Sequence, residues 1–99
     1  MVKIMIKYLE NENFDEVIAN KKILVDFYAD WCGPCKMMAN VLENVDFIEV
    51  LKVNTDMHPE LAQRYGVMSI PTLIVFENGI VKNQSVGFKD IETIKEFVK

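Results

Sequence analysis

The sequence predicts an α/β domain, a mixed sheet with helices on both faces, and three observations predict it. Strand-length patterns alternate with amphipathic helical patterns along most of the chain, which makes the strands so joined parallel neighbours. Ile23-Leu24-Val25-Asp26-Phe27-Tyr28-Ala29 is almost continuously apolar, as suits a central strand covered on both faces. Near the end, two strand patterns meet at Asn78-Gly79. That dipeptide adopts positive φ readily, closes a hairpin and adds an antiparallel pair.

The elements follow in order. Residues 2–8 are apolar-biased and read as the first strand. Asn13 suits an N-cap, with Glu16 three residues on, and Phe14, Val17 and Ile18 set a short helix running to about Asn20. The central strand comes next. Residues 33–45 read as a helix with Met38, Val41, Leu42 and Val45 on its apolar stripe, and Lys36, Asn40, Glu43 and Asn44 on its wet side. Residues 47–53 form a strand. Pro59 fits a first helical position and Gly66 a helix stop, giving a helix over 59–65. Strands at 72–77 and 80–86 flank the hairpin turn. Asp90 caps a last helix with Ile91, Ile94, Phe97 and Val98 on one side. The order is β-α-β-α-β-α-β-β-α.

Composition narrows the function. With 99 residues, of which 51% are hydrophobic and 26% charged, the chain suits a single domain over 1–99 with its own core. A net charge of −4 with scattered basic residues argues against nucleic acid, which needs a clustered basic face. The longest apolar stretches are strand-length, short of the roughly 18 residues of a membrane span. Met1-Val2-Lys3-Ile4-Met5-Ile6-Lys7 has neither an apolar h-region nor a small-residue cleavage site, so a cytoplasmic protein is expected.

The chain has 2 Cys, spaced C-x-x-C, which suggests redox chemistry or half of a metal site. Zinc in a structural site takes four ligands, and one His, His58, is the only addition available from this class. His58 sits at a helix start and reads better as a surface or capping residue, so no metal is expected. The pair directly follows a buried strand and opens a helix. There Cys32 meets unpaired N–H groups and the positive end of the helix dipole. The dipole is worth only about 0.3–1 kcal/mol at exposed sites. A substantially more acidic Cys32 therefore also needs hydrogen bonds from backbone N–H groups and the second thiol. Cys35 lies three before Met38 and seven before Leu42, continuing the apolar stripe, whereas Cys32 precedes the first turn and is expected to be exposed. Cys32 should attack and Cys35 resolve the mixed disulfide. Positions three apart on a helix also meet closely enough for a Cys32–Cys35 disulfide.

Asp26 interrupts a run expected to be buried, six residues before Cys32. An unpaired buried carboxylate is costly and has a raised pKa. Lys52 shares strand parity with Ile48 and Val50, on an apolar-patterned face, and is the natural partner. Two readings fit. Asp26, tuned by Lys52, exchanges a proton with Cys35, or else the two form a structural buried ion pair or Lys52 merely snorkels from a strand end. Pro71, just before a strand, fits punctuation at a strand start, and the residues alone leave its isomer open.

Val25-Asp26-Phe27-Tyr28-Ala29-Asp30-Trp31-Cys32-Gly33-Pro34-Cys35-Lys36 matches the signature of the thioredoxin family almost residue for residue. Lys52-Val53-Asn54-Thr55-Asp56, Tyr65-Gly66-Val67, Ile70-Pro71-Thr72, Phe76-Glu77-Asn78-Gly79 and Val86-Gly87 follow in family order. The chain thus resembles that family over essentially its whole length. The resemblance implies a thioredoxin fold, a central five-stranded mixed β-sheet flanked by four α-helices. It implies a cis Pro71 facing the disulfide, and Ile70 pairing its main chain with an extended substrate. Trp31, Gly33, Pro34, Met68, Ser69, Ile70, Gly87 and Phe88 would form an apolar collar around the sulfurs. Met68 and Phe88 also fit ordinary exposed apolar positions. Three departures stand out. Asn40 replaces a frequent helix-kinking Pro, Tyr28 replaces a frequent Trp, and a short connection to the third strand trims the second helix.

Pro34 bears on direction. Isomerases and oxidants of the superfamily commonly carry His there, which stabilises the thiolate and hence the reduced form. Pro offers neither charge nor N–H, which favours a general protein-disulfide reductase. The resemblance implies no bound cofactor, electrons from NADPH through a thioredoxin reductase, disulfide-containing protein substrates and a monomer. No nucleotide fingerprint of the G-x-G-x-x-G type follows a strand. Two other classes remain open at this point, an isomerase or oxidant, and a binding module that ignores its thiols.

Overall fold

Side-chain parity along the strands decides which core each residue joins. The computed structural model describes residues 5–99, so residues 2–4 of the first expected strand lie outside the described residues. The elements are β1 (Ile6–Tyr8), α1 (Phe14–Ile18), β2 (Lys22–Tyr28), α2 (Gly33–Leu42), β3 (Glu49–Asn54), α3 (Pro59–Arg64), β4 (Thr72–Glu77), β5 (Ile80–Val86) and α4 (Ile91–Phe97). This is the expected order. The strands form one sheet in the order β1-β3-β2-β4-β5. Pairing is parallel for β1, β3 and β2, and antiparallel for β2–β4 and β4–β5. β2, the most apolar strand, is central, with residues 23–27 and the facing residues 72–76 of β4 buried.

Alternate residues of these strands fill two cores. Val25, Phe27, Leu51, Val53, Ile74 and Phe76 pack with Phe14 and Ile18 of α1 and Leu61 of α3. Leu24, Val50, Leu73 and Val75 pack with Met38 and Leu42 of α2 and Ile94 of α4. The first core is rich in aromatic rings, and the second is aliphatic.

The ends of the elements follow their local chemistry. The Asn13 side chain accepts the Glu16 N–H at 3.0 Å, and Asp90 accepts the Thr93 N–H at 2.9 Å, so both expected N-caps form. α3 closes with the Gly66 N–H on Gln63 O and the Val67 N–H on Ala62 O, a two-bond C-cap that uses the positive φ of Gly66. Asn78 and Gly79 both have positive φ, as the hairpin requires.

Several boundaries are shorter than expected. α1 stops at Ile18, and Asn20 has a φ of 60°, outside helical space. α2 ends at Leu42 and not at Val45, because the Asn44 and Val45 N–H groups bond carbonyls three residues back and tighten the last turn. This agrees with the expected trimming. β3 begins at Glu49 and not at Phe47, where pairing with Ile23 of β2 begins. α3 ends one residue early, at Arg64.

Candidate active site

β2 leads through Ala29, Asp30 and Trp31 into the first turn of α2. The Cys32 N–H bonds Ala29 O at 3.3 Å, which turns the chain from strand to helix. Cys32 is the N-cap of α2, with extended backbone, and Pro34 occupies the first turn, where helical N–H groups have no acceptor to lose. The sulfur of Cys32 takes the place of a capping oxygen. It accepts the Cys35 N–H at 3.2 Å. A hydrogen bond to an ionised acceptor is worth about 1.5–3 kcal/mol, more than the dipole alone, and here it favours negative charge on Cys32.

Cys32 and Cys35 form a disulfide, with their Cα atoms 5.2 Å apart. One expectation needs correction. Cys32 is not exposed. It is 4% exposed and Cys35 is 2%, and both pack with Ala29 against Tyr28 and Ile70. Helical phase did not separate them by burial, because neighbouring segments cover both. What separates them is their surroundings. Cys32 Sγ lies 3.8 Å from Ile70 O, whereas Cys35 lines a cleft of about 190 Å³ together with Tyr8, Tyr28, Asp30, Lys36 and Lys52. The Ile70–Pro71 peptide bond is cis.

Behind this cleft lies the buried charge. Asp26 of β2 and Lys52 of β3 are register partners, so their side chains share a face, the one carrying Leu24, Val50 and α2. Asp26 is fully buried and Lys52 is 4% exposed. Their Oδ2 and Nζ are 3.6 Å apart, an ion-pair contact too long for a hydrogen bond. Among the described residues neither Asp26 oxygen has a hydrogen-bond partner. Burial therefore dominates and pushes the Asp26 carboxyl up to about 6, with the Lys52 charge opposing it.

The rim is exposed. Trp31 is 71% exposed, and its indole N–H donates to Asp56 Oδ2 at 3.0 Å. Asp56 is itself set by Asn54, whose Oδ1 accepts the N–H groups of Asp56 and Met57. Gly33, Pro34, Ser69 and Phe88 are exposed, Met68 is 95% exposed, and Ile70 is half-buried. Gly87 joins the rim through its N–H, which donates to Pro71 O at 2.8 Å. Asp56 lies in the Lys52–Asp56 segment that carries the family resemblance, but its residue type alone gives it no role, since an acidic residue in a loop reads as solvated surface. Trp31 beside the motif was the available signal, and only its indole direction identifies the partner.

His58 corrects a second expectation. It occupies the N-cap position of α3 but makes no side-chain cap bond, and its Nε2 lies 3.2 Å from Leu9 O. Among the described residues no group of three His, Cys, Asp or Glu side chains forms a metal-ligand cluster. Nor is any helix among them long and apolar enough to cross a membrane.

Known proteins match this arrangement over nearly the whole chain. The family model described as Thioredoxin matches residues 5–99. A thioredoxin of Chlamydia caviae is 47% identical, covering 91% of this chain and 92% of the relative. One from Bacillus subtilis is 44% identical, covering 89% of each. A solved thioredoxin variant from Halobacterium salinarum NRC-1 superposes with a TM-score of 0.83 at 36% identity, covering 94% of this chain and 87% of that one. Sequence likeness, shared fold and a closed cysteine pair at a helix start converge, and the chain belongs to the thioredoxin family as a thiol–disulfide oxidoreductase.

Proposed function

We propose that the chain is a general protein-disulfide reductase in which Cys32 attacks and Cys35 resolves. The observation that carries this reading is the Cys35 N–H on Cys32 Sγ at the α2 N-terminus, which favours Cys32 as the sulfur that bears charge. In the reduced protein the Cys32 thiolate attacks one sulfur of a substrate disulfide. A mixed disulfide forms and the first substrate thiolate leaves. Cys35 then gives its proton to the Asp26 carboxylate, attacks Cys32 Sγ and closes the Cys32–Cys35 disulfide. The second substrate sulfur leaves and takes up a proton. Two electrons have passed from the dithiol to the substrate.

A carboxyl near pKa 6 is ionised at neutral pH and still close enough to a thiol in proton affinity to accept and return the proton. Lys52 keeps the carboxylate from becoming too basic. That Cys35 and Lys52 line one cleft supports the route. The exposed Trp31, Gly33, Pro34, Met68, Ser69 and Phe88, together with half-buried Ile70 and Gly87 and buried Pro71, suit docking of extended polypeptide, with Ile70 offering its main chain. Family membership supports the remaining parts. These are recharging by a thioredoxin reductase that draws on NADPH, disulfide-containing protein substrates, a monomer and a cytoplasmic setting.

Insulin reduction followed by turbidity tests the assignment. Loss of activity in Cys32→Ser, with a trapped mixed disulfide in Cys35→Ser, is expected. Full activity in Cys32→Ser overturns the roles. Equilibration with glutathione tests direction, since a disulfide readily reduced by that buffer would indicate an isomerase or oxidant.

A further inference from the structure

Tyr8 carries no assigned role, yet it stands in line with the buried pair. On the sheet, Tyr8 of β1 is the register partner of Lys52, and Lys52 is the register partner of Asp26. The three therefore form a row across neighbouring strands on one face. Tyr28, two residues beyond Asp26 on β2, joins the row diagonally. The Lys52 ammonium lies 4.6 Å from the centre of the Tyr28 ring and 5.5 Å from that of Tyr8. The two rings meet edge to face, with centroids 6.1 Å apart and planes at 81°. The ammonium is thus held between a carboxylate and two aromatic faces, each of which attracts a cation.

A lysine stem is long enough to carry its charge out of such a cleft, and water outside solvates an ammonium well. Something must therefore favour the inner position. We propose that Tyr8 and Tyr28 are positioning residues whose ring faces hold the Lys52 ammonium in the cleft, so that Asp26 keeps its counter-charge during proton exchange with Cys35. This deepens the proton route proposed above and rests on it. Among the described residues, titratable and charged groups face or back the cleft from four elements and one turn. β1 contributes Tyr8, β2 Asp26 and Tyr28, the turn after it Asp30, α2 Cys35 and Lys36, and β3 Lys52. The Tyr28 phenol is pushed further above its usual range by burial, so its ring stays neutral where Asp26 titrates.

Tyr8 is 54% exposed, so its replacement spares the core. The test is carbon NMR titration of the labelled Asp26 carboxyl in the oxidised protein, with Tyr8→Leu, Tyr8→Phe and Lys52→Met. Leucine keeps apolar cover but has no π face, and phenylalanine keeps the face. Tyr8→Leu is expected to raise the Asp26 midpoint by roughly half a unit and Lys52→Met by at least as much, while Tyr8→Phe leaves it in place. An unchanged or lowered midpoint in Tyr8→Leu overturns the proposal. So does a shift in Tyr8→Phe equal to that in Tyr8→Leu. The pH profile of mixed-disulfide resolution is expected to move alkaline with the midpoint. If the midpoint rises while that profile stays fixed, the ring clamp stands and the proton role of Asp26 fails.

Discussion

The two faces of the central sheet are built from the same strands and do different work. On one, Val25 and Phe27 of β2 join Phe14 and Phe76, and Tyr65 packs edge-on against Phe76 with ring centroids 5.2 Å apart. That face holds no buried charge among the described residues. On the other, Leu24 packs against Met38 and Leu42, and the next residue of the same parity is Asp26. The redox helix α2 packs on this face through Met38 and Leu42. A shift of one residue along β2 would place the carboxylate among the aromatic rings, away from Lys52. One face supplies stability, and the other gives up some stability to bury a carboxylate beside Lys52.

The sharpest break between the faces is chemical. Cys32→Ser should abolish insulin reduction while leaving thermal stability of the reduced protein close to the parent's, because the serine hydroxyl still caps α2. Loss of both together would mean that the redox pair also carries the fold.

Next comes Phe27→Ala, on the aromatic face. It should cost about 3–5 kcal/mol by denaturant titration, since Phe27 is fully buried. The pH profile of exchange should not move. A changed profile would show that the faces are coupled through the sheet.

Asp26→Leu tests the other face and should act in the opposite direction on stability. The folded carboxyl titrates near 6 against 3.8 for the free group, so between these values the folded state binds more protons than the unfolded one. The parent therefore loses stability as pH rises through that window. The leucine variant should match the parent's pH dependence below about pH 4 and gain on it by about 3 kcal/mol at pH 7. Mixed-disulfide resolution should slow by about 10²-fold. A parent that gains stability from pH 4 to 6 relative to the variant would contradict the buried carboxyl.

The smallest effect belongs to the rim. Asp56→Ala removes the acceptor of the Trp31 indole and should slow reduction of a protein substrate by a few-fold. Exchange with a small disulfide, which needs no docking surface, should keep its rate.

Much of this is legible in the sequence. The periodicity of Met38 and Leu42, the caps at Asn13 and Asp90, the stop at Gly66 and the turn at Asn78-Gly79 are local signals, each read within a few residues. The C-x-x-C pair at a strand–helix junction named the chemistry for the same reason. α2 and β3 are shorter than their periodicity predicts because the last turn of a helix and the first pair of a strand depend on neighbours, which sequence periodicity does not contain.

The sequence by itself determined the order of the elements, the identity of the redox pair and the oddity of Asp26 within an apolar strand. Tertiary structure alone decided the rest. It covered both cysteines, turned the Trp31 indole onto Asp56 and lined up Tyr8, Lys52 and Asp26 across neighbouring strands. The physical reason is that helix caps and strand parity are set by covalent neighbours a few residues apart. Burial and register are set by which distant segments meet, and Tyr8 and Lys52 stand far apart along the chain.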